Sequence, residues 1–400
     1  MKITVGKAAF PGRGNTNNAV FQIRHQDTDE IQLEFKDATA YPTFTNCHDH
    51  LIGNWYPKAG AHRPYINSHI WVEDMKSADS VLERNKIWLN DGSFDLLSGN
   101  APLLAKLGAY KNLFSGCTIV QDHGPNQKDA YYDLFPIDVI RKYRQCHSLT
   151  LGNWWGGLTP FEEWSLTDSK IPFIIHLGEG FDDNTRDEFA KLMEMGILQP
   201  NTIIVHGVSL TKYEIRQCAE VGTSICWCPS SNFYLLDHTL DIETCLDYGV
   251  NVVIGTDSSL SGSVNMFDEL HFIHKKFPFI PMKNLLEMIT VNAVKALLLP
   301  DEDDSSLDDS NSLLICDSLN DDPYQNLAFL EPNNIQFMIH KGKPLYGDTT
   351  YLNHFHVNES EYSFFAVNDR NKFVIGDPLK LNQDVDSILG YHKDFPYFPF

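Results

Sequence analysis

The chain has 400 residues, 42% of them hydrophobic and 12% aromatic. That is enough to bury a sizeable core; it excludes a globally disordered chain and suits a large α/β barrel with an accessory module. The 31 Lys+Arg against 53 Asp+Glu give a formal charge of −22, a surface that repels phosphate backbones and excludes nucleic acid as the expected partner.

The opening residues, "MKITVGKAAF", lack the apolar core of a signal peptide, and no apolar run reaches membrane-spanning length. The eight cysteines are scattered, and "CWC" at Cys226 and Cys228 fits neither a redox CxxC nor a zinc ribbon. Reduced thiols, a cytoplasmic location and no membrane contact are therefore expected.

"MKITVGKAAF", "AVFQIRHQ" and "IQLEFKDA" read as short alternating strands. The next run, "YPTFTNCHDHL", places His48 and His50 one residue apart, so on a strand both imidazoles face one way. The insertion 76–108 reads either as a cover for the pocket or as a homodimer contact. "LFSGCTIVQDHG" opens a run of βα units. Between residues 125 and 169 one or two strands are expected, their count left open. From there "IPFIIHLGE", "NTIIVHGVSL", "GTSICWCPSSN" and "GVNVVIGTDSS" alternate with helical stretches closed by Gly, the pattern of a parallel sheet. "DEDDSSLDDSNS" reads as a solvated acidic loop, without the spacing of a calcium-binding loop. After it, "SLLICDS", "NIQFMIHKGKPLYGD" and "SFFAVN" are strand-like again.

The expected fold is thus a (β/α)8 TIM-type barrel over residues 42–308. A small β-sandwich built from both chain ends, 1–41 and 309–400 with a C-terminal tail, brackets it. Polar residues at the C-terminal ends of barrel strands line the site in such folds. Here the first strand ends in His48-Asp49-His50, another in His176 with Glu179 just beyond, a third in His206 and a fourth in Asp257. Each has an ordinary reading alone: a backbone-satisfied buried histidine, a helix cap for Asp257, a first-turn acid for Glu179. Metal-ligand residue types delivered by four strands to one rim make coincidence the weaker reading.

"FTNCHDHL", "HLGEG", "IIVHGVSLT", "CPSSNFYLL" and "IGTDSSLSG", in this order, resemble the metal-dependent amidohydrolase superfamily. The similar branch is the chlorohydrolase and aminohydrolase group of cytosine, guanine and S-adenosylhomocysteine deaminases. The resemblance implies that His48, His50, His176 and Asp257 ligate one divalent metal, zinc first, with ferrous iron or manganese as alternatives. No lysine ends a strand in "CHSLTLGNWWGGL" to bridge a second metal. It also implies a hydrolase of carbon–nitrogen bonds other than peptide bonds, deaminating a small N-heterocycle with a metal-activated water. Asp257 would orient that water and take its proton, Glu179 would pass a proton to the substrate nitrogen, and His206 would polarise the attacked centre. The alternatives are ring opening of a cyclic amide or amidine, dechlorination, and an inactive scaffold; the last is disfavoured because no ligand or acid is missing.

For the substrate, Asn54 and Trp55 follow the first motif, His123 ends a strand after Asp122, and Trp154 lies in the weak segment. Arg186 either grips an anionic substrate or pairs with Asp182 or Asp183, and Ser258 is expected to line the pocket.

Overall fold

The computed structural model describes residues 1–12, 14–25, 30–88, 94–150, 158–300 and 311–400. The chain begins with three strands, β1 (Lys2–Phe10), β2 (Gly14–Gln22) and β3 (Gln32–Tyr41). Eight parallel-type strands follow: β4 (Phe44–Asp49), β5 (Cys117–Asp122), β6 (Asp138–Val139), β7 (Arg144–Cys146), β8 (Phe173–Leu177), β9 (Thr202–His206), β10 (Ser224–Trp227) and β11 (Val252–Ile254). The last five are β12 (Leu313–Asp317), β13 (Ile335–His340), β14 (Lys343–Asp348), β15 (Tyr362–Val367) and β16 (Arg370–Ile375).

The middle strands pair in parallel as two arcs, β4-β5-β6 and β7-β8-β9-β10-β11, giving a TIM-barrel-like α/β fold. Among the described residues the two arcs are not one closed ladder. The first and last strands nevertheless meet at the top, where Asp257 N donates to His48 O at 3.0 Å. Every residue of β8, β9 and β10 is buried; strands covered on both faces read as unbroken apolar runs, and this is why they were visible in the sequence. The helices between them end as their sequences require. Thr211 and Glu214 form a reciprocal cap at the start of helix Lys212–Val221, and Gly222 closes it at φ 90°.

Strands from the two chain ends share one sheet; the expected sandwich is not confirmed. β3 pairs antiparallel with β12, so the two halves join edge to edge in one eight-stranded sheet, β15-β16-β14-β13-β12-β3-β1-β2. Among its described residues the weak segment holds two strands, β6 and β7, of two and three residues; runs that short carry no periodicity. The acidic stretch 301–310 lies outside the described residues.

The C-terminal tail reaches back to the first barrel loop. Tyr397, fully buried, donates its hydroxyl to Asn54 O at 3.0 Å. Lys393 Nζ bonds Tyr56 O at 2.7 Å and Glu83 Oε2 at 2.5 Å. Glu83, from the 76–108 insertion, also accepts the Trp55 indole N–H at 2.7 Å. All eight cysteines are buried and free. Among the described residues no helix is long and apolar enough to cross a membrane.

Candidate active site

Strand alternation turns His48 and His50 to one side of β4, and β11 lets them in. A Cβ on Gly255 would lie 2.6 Å from His48 Cβ, so only glycine permits this approach. His48 Nε2 lies 3.3 Å from His176 Nε2 at the end of β8. Asp257 Oδ1 stands 3.8 Å from His48 Nε2 and 3.6 Å from His50 Nε2. The donor atoms of His48, His50 and Asp257 lie within 4.8 Å of one another, as do those of His48, His176 and His206, and those of Glu179, His206 and Asp257.

The donor set suits a divalent cation. His176 Nδ1 faces His147 O at 2.9 Å; a carbonyl only accepts, so Nδ1 carries the proton and Nε2 presents a lone pair. Two imidazole nitrogens 3.3 Å apart match the edge of a tetrahedron with metal–nitrogen bonds of about 2.0–2.1 Å. Burial, then the neighbouring histidines, holds the His48 and His176 pKa values well below 6.5, so both are neutral, the ligating form. For Asp257, burial pushes the pKa up, but His50, His206 and hydrogen bonds from Ser231 and the Ser258 N–H outweigh it. The carboxyl sits below its usual range, anionic as a ligand must be.

Glu179 and His206 close one side, with His206 Nε2 3.5 Å from Glu179 Oε1. Burial, reinforced by the Asp257 charge, raises the Glu179 pKa well above 4.5, keeping a proton on the carboxyl. His206 and Asp257 both sit in the left-handed backbone region, at φ 73° and 55°. For non-glycine residues this costs roughly 1–2 kcal/mol each, and such strain gathers at functional positions.

Beneath the donors lies a buried polar platform. Lys111 and Asp49, both fully buried, pair at 3.2 Å. Lys111 Nζ also bonds Asn54 Oδ1 at 2.7 Å, Thr256 Oγ1 at 3.0 Å and Asp257 O at 2.8 Å. Asn112 Nδ2 and Asn54 Nδ2 donate to Asp49 at 2.8 and 2.9 Å. One ammonium thus ties the strand carrying His48 and His50 to the turn carrying Asp257.

Asp257 is steadied from the far side too, where Ser231 Oγ donates to its Oδ2 at 2.6 Å. The neighbouring Ser230 N donates to buried Glu269 at 3.0 Å, and Ser263 Oγ bonds the same carboxyl. Burial pushes the Glu269 pKa from 4.5 to about 7. A raised acid contributes stability that is fully present below its unfolded pKa and is lost as pH rises through the folded one. Wild type is therefore expected to lose roughly 3 kcal/mol from this group between pH 4.5 and 7. Glu269→Gln, which keeps both hydrogen bonds, should remove that slope. Urea unfolding midpoints of the two proteins at pH 5 and pH 8 test it; parallel pH dependences would refute the assignment.

The structure thus gathers His48, His50, His176, His206, Asp257 and Glu179. It does not gather all the expected substrate contacts. Trp55 is fully buried, its ring edge-on to Phe395 at 5.1 Å under the C-terminal tail. Asn54 has its amide consumed by Asp49, Lys111 and the Ser259 N–H, a structural place rather than a rim position. Arg186 is exposed at the end of helix Asp183–Arg186, outside the cluster; Asp182 caps that helix at Thr185 instead. His123 is buried, stacked on His176 at 4.2 Å, with Nε2 3.3 Å from Cys146 O. Ser258 is buried beside Asp257 and gives it its N–H at 2.6 Å. Trp154 lies outside the described residues.

Sequence reasoning missed His147 and Lys111. His147 follows the three-residue β7 and stacks edge-on to His176 at 4.9 Å. Its signal was a histidine after a strand too short to notice. Lys111 had a readable one: it falls seven residues after Leu104 and four after Leu107, on an apolar helical stripe.

Comparison with known proteins agrees with this geometry. Residues 165–302 match the model of the Amidohydrolase family. A 5-methylthioadenosine/S-adenosylhomocysteine deaminase of Pyrococcus furiosus is 30% identical over 143 residues, 32% of this chain and 34% of that protein. The enzyme of the same name from Haloarcula marismortui is 26% identical over 284 residues, 60% of this chain. The chain thus spans 34% and 62% of the length of these curated relatives. Two solved structures share the fold. Zinc-bound adenosine deaminase from Xanthomonas campestris superposes with a TM-score of 0.64 at 16% identity, over 86% of this chain and 92% of that one. Atrazine chlorohydrolase TrzN from Arthrobacter aurescens, complexed with zinc, gives 0.68 at 17% identity, over 97% and 99%.

Proposed function

We propose that the protein is a hydrolase with one divalent metal that deaminates a small aminated N-heterocycle. The observation that carries the reading is that His48 shares one tight donor group with His50 and Asp257 and another with His176 and His206, with the buried Glu179, its carboxyl pKa raised by burial, grouped with His206 and Asp257. On this reading residues 42–308 close as one (β/α)8 barrel, and 1–41 with 309–400 form the β-domain that brackets it. His48, His50, His176 and Asp257 hold the metal, which is zinc, the ion in both structural neighbours. When bound, it supplies a water acidic enough to ionise near neutral pH.

The chain's own groups do the rest. Asp257, fixed by Ser231 and the Ser258 N–H, orients the attacking water and accepts its proton. His206 donates a hydrogen bond to the ring atom that gains negative charge. Glu179 delivers its proton to the exocyclic nitrogen and is re-protonated at the water's expense. A carbon–oxygen bond forms, the carbon–nitrogen bond breaks, and ammonia leaves.

The relatives' names point first to purine nucleosides such as S-adenosylhomocysteine. The same groups would serve a leaving chloride or a ring-opening step, and the chlorohydrolase neighbour makes that the second reading. A panel of purine nucleosides, free aminopurines, aminopyrimidines and triazines, followed for both ammonia and chloride, separates them. Ammonia from one ring class supports the deaminase; chloride without ammonia would replace it with the dehalogenating reading.

A further inference from the structure

His206 and His176 stand side by side, rings stacked at 5.3 Å, yet their surroundings fix opposite protonation patterns. His176 is set by a backbone carbonyl, as described. The partners of His206 are side chains: Asn232 Nδ2 lies 2.9 Å from its Nδ1, Thr239 Oγ1 3.1 Å from Asn232 Oδ1, and Trp227 Nε1 2.7 Å from Thr239 Oγ1.

The chain of bonds has only one consistent direction, because it starts at a group that can only give. An indole N–H donates and never accepts, so Thr239 Oγ1 accepts from Trp227. The threonine hydroxyl hydrogen then goes to Asn232 Oδ1, the one remaining acceptor it meets among the described residues. The asparagine amide is thereby oriented with its NH2 toward His206, and Nδ1 must accept. Turning the amide over would aim two donors at Thr239 Oγ1 and leave the hydroxyl hydrogen without an acceptor there. Trp227, Asn232 and His206 are buried and Thr239 is partly exposed, so the amide oxygen of Asn232 is the protein acceptor that the hydroxyl meets and the inner links of the chain are shielded from water.

We propose that Trp227, Thr239 and Asn232 form a one-way hydrogen-bond relay that places the ring proton of His206 on Nε2, the nitrogen facing Glu179. His206 is thereby a donor into the site and has no lone pair there for the metal, although its ring nitrogen falls within 4.8 Å of those of His48 and His176. Asn232 and Thr239 are positioning residues: they act through His206.

The catalytic consequence rests on the deaminase reading; the tautomer does not, so the first experiment reads the tautomer. Zinc-loaded protein with 15N-histidine is examined by NMR, with the His206 signals assigned by their loss in His206→Gln. The expected pattern is an unprotonated Nδ1 and a protonated Nε2. Asn232→Asp, whose carboxylate only accepts, should move the proton to Nδ1. Thr239→Val should populate both forms, and Thr239→Ser should restore the single one. Where a substrate is in hand, Asn232→Asp and Thr239→Val should lower kcat by up to about 10²–10³-fold, the usual effect of losing one preorganised donor, with KM little changed. A wild-type ring protonated on Nδ1 would overturn the relay, as would an Asn232→Asp spectrum with the proton still on Nε2. The expected tautomer shift with no ammonia from any ring would leave the relay standing and count only against the deaminase.

Discussion

His176→Ala is expected to abolish metal binding and turnover together, whereas Glu179→Gln should keep the metal and lose only turnover. The contrast follows from position. His176 Nε2 lies 3.3 Å from His48 Nε2 with its proton committed to the His147 carbonyl on the other side, so its removal deletes one of the metal's donors. Glu179 stands 3.5 Å from His206 and is held protonated by burial; glutamine keeps its shape and removes the proton it would deliver. A general acid is worth about 10²–10⁴-fold in rate, and a loss in that range is expected for Glu179→Gln. Elemental analysis of both variants beside their ammonia release makes the comparison. Full metal and activity in His176→Ala would place the site elsewhere.

The second large effect belongs to Lys111→Met. The substitution leaves the fully buried Asp49 carboxylate without its cation, though Asn112 and Asn54 still donate to it. Removing one member of a buried pair costs about 3–5 kcal/mol, because the other charge stays behind uncompensated. The same change frees Asp257 O and Thr256 from their shared donor, so metal affinity should fall by about 10–100-fold, as for other groups that orient ligands. Adding Asp49→Asn to Lys111→Met should recover part of the stability while leaving metal affinity low. Urea unfolding and zinc titration of the two variants decide it; a single variant within about 1 kcal/mol of wild type would show that the pair is dispensable.

What the sequence disclosed depended on how much buried strand surrounded each residue. His176 and His206 end strands that are apolar and buried throughout, so their place at one rim could be read from pattern alone. β6 and β7, two and three residues long, gave no such pattern, and His147 went unseen behind them. The contacts of Trp55 and Asn54 were illegible for a different reason. Both are held by groups distant in sequence, Trp55 by Phe395 and Glu83, Asn54 by Lys111 and Ser259. Proximity to a motif says nothing of a tail folding back some 340 residues later to cover it, as Tyr397 does at Asn54 O. The edge-to-edge joining of β3 to β12 is likewise a choice between two ways of combining strands that have the same alternation.

The most direct test of the central claim is a zinc titration of chelator-stripped protein, with bound zinc and ammonia release measured in the same samples on the ring class the panel selects. Both are expected to rise together and level off at one zinc per chain. Ammonia release that is complete without zinc, or that requires a second equivalent, would contradict it.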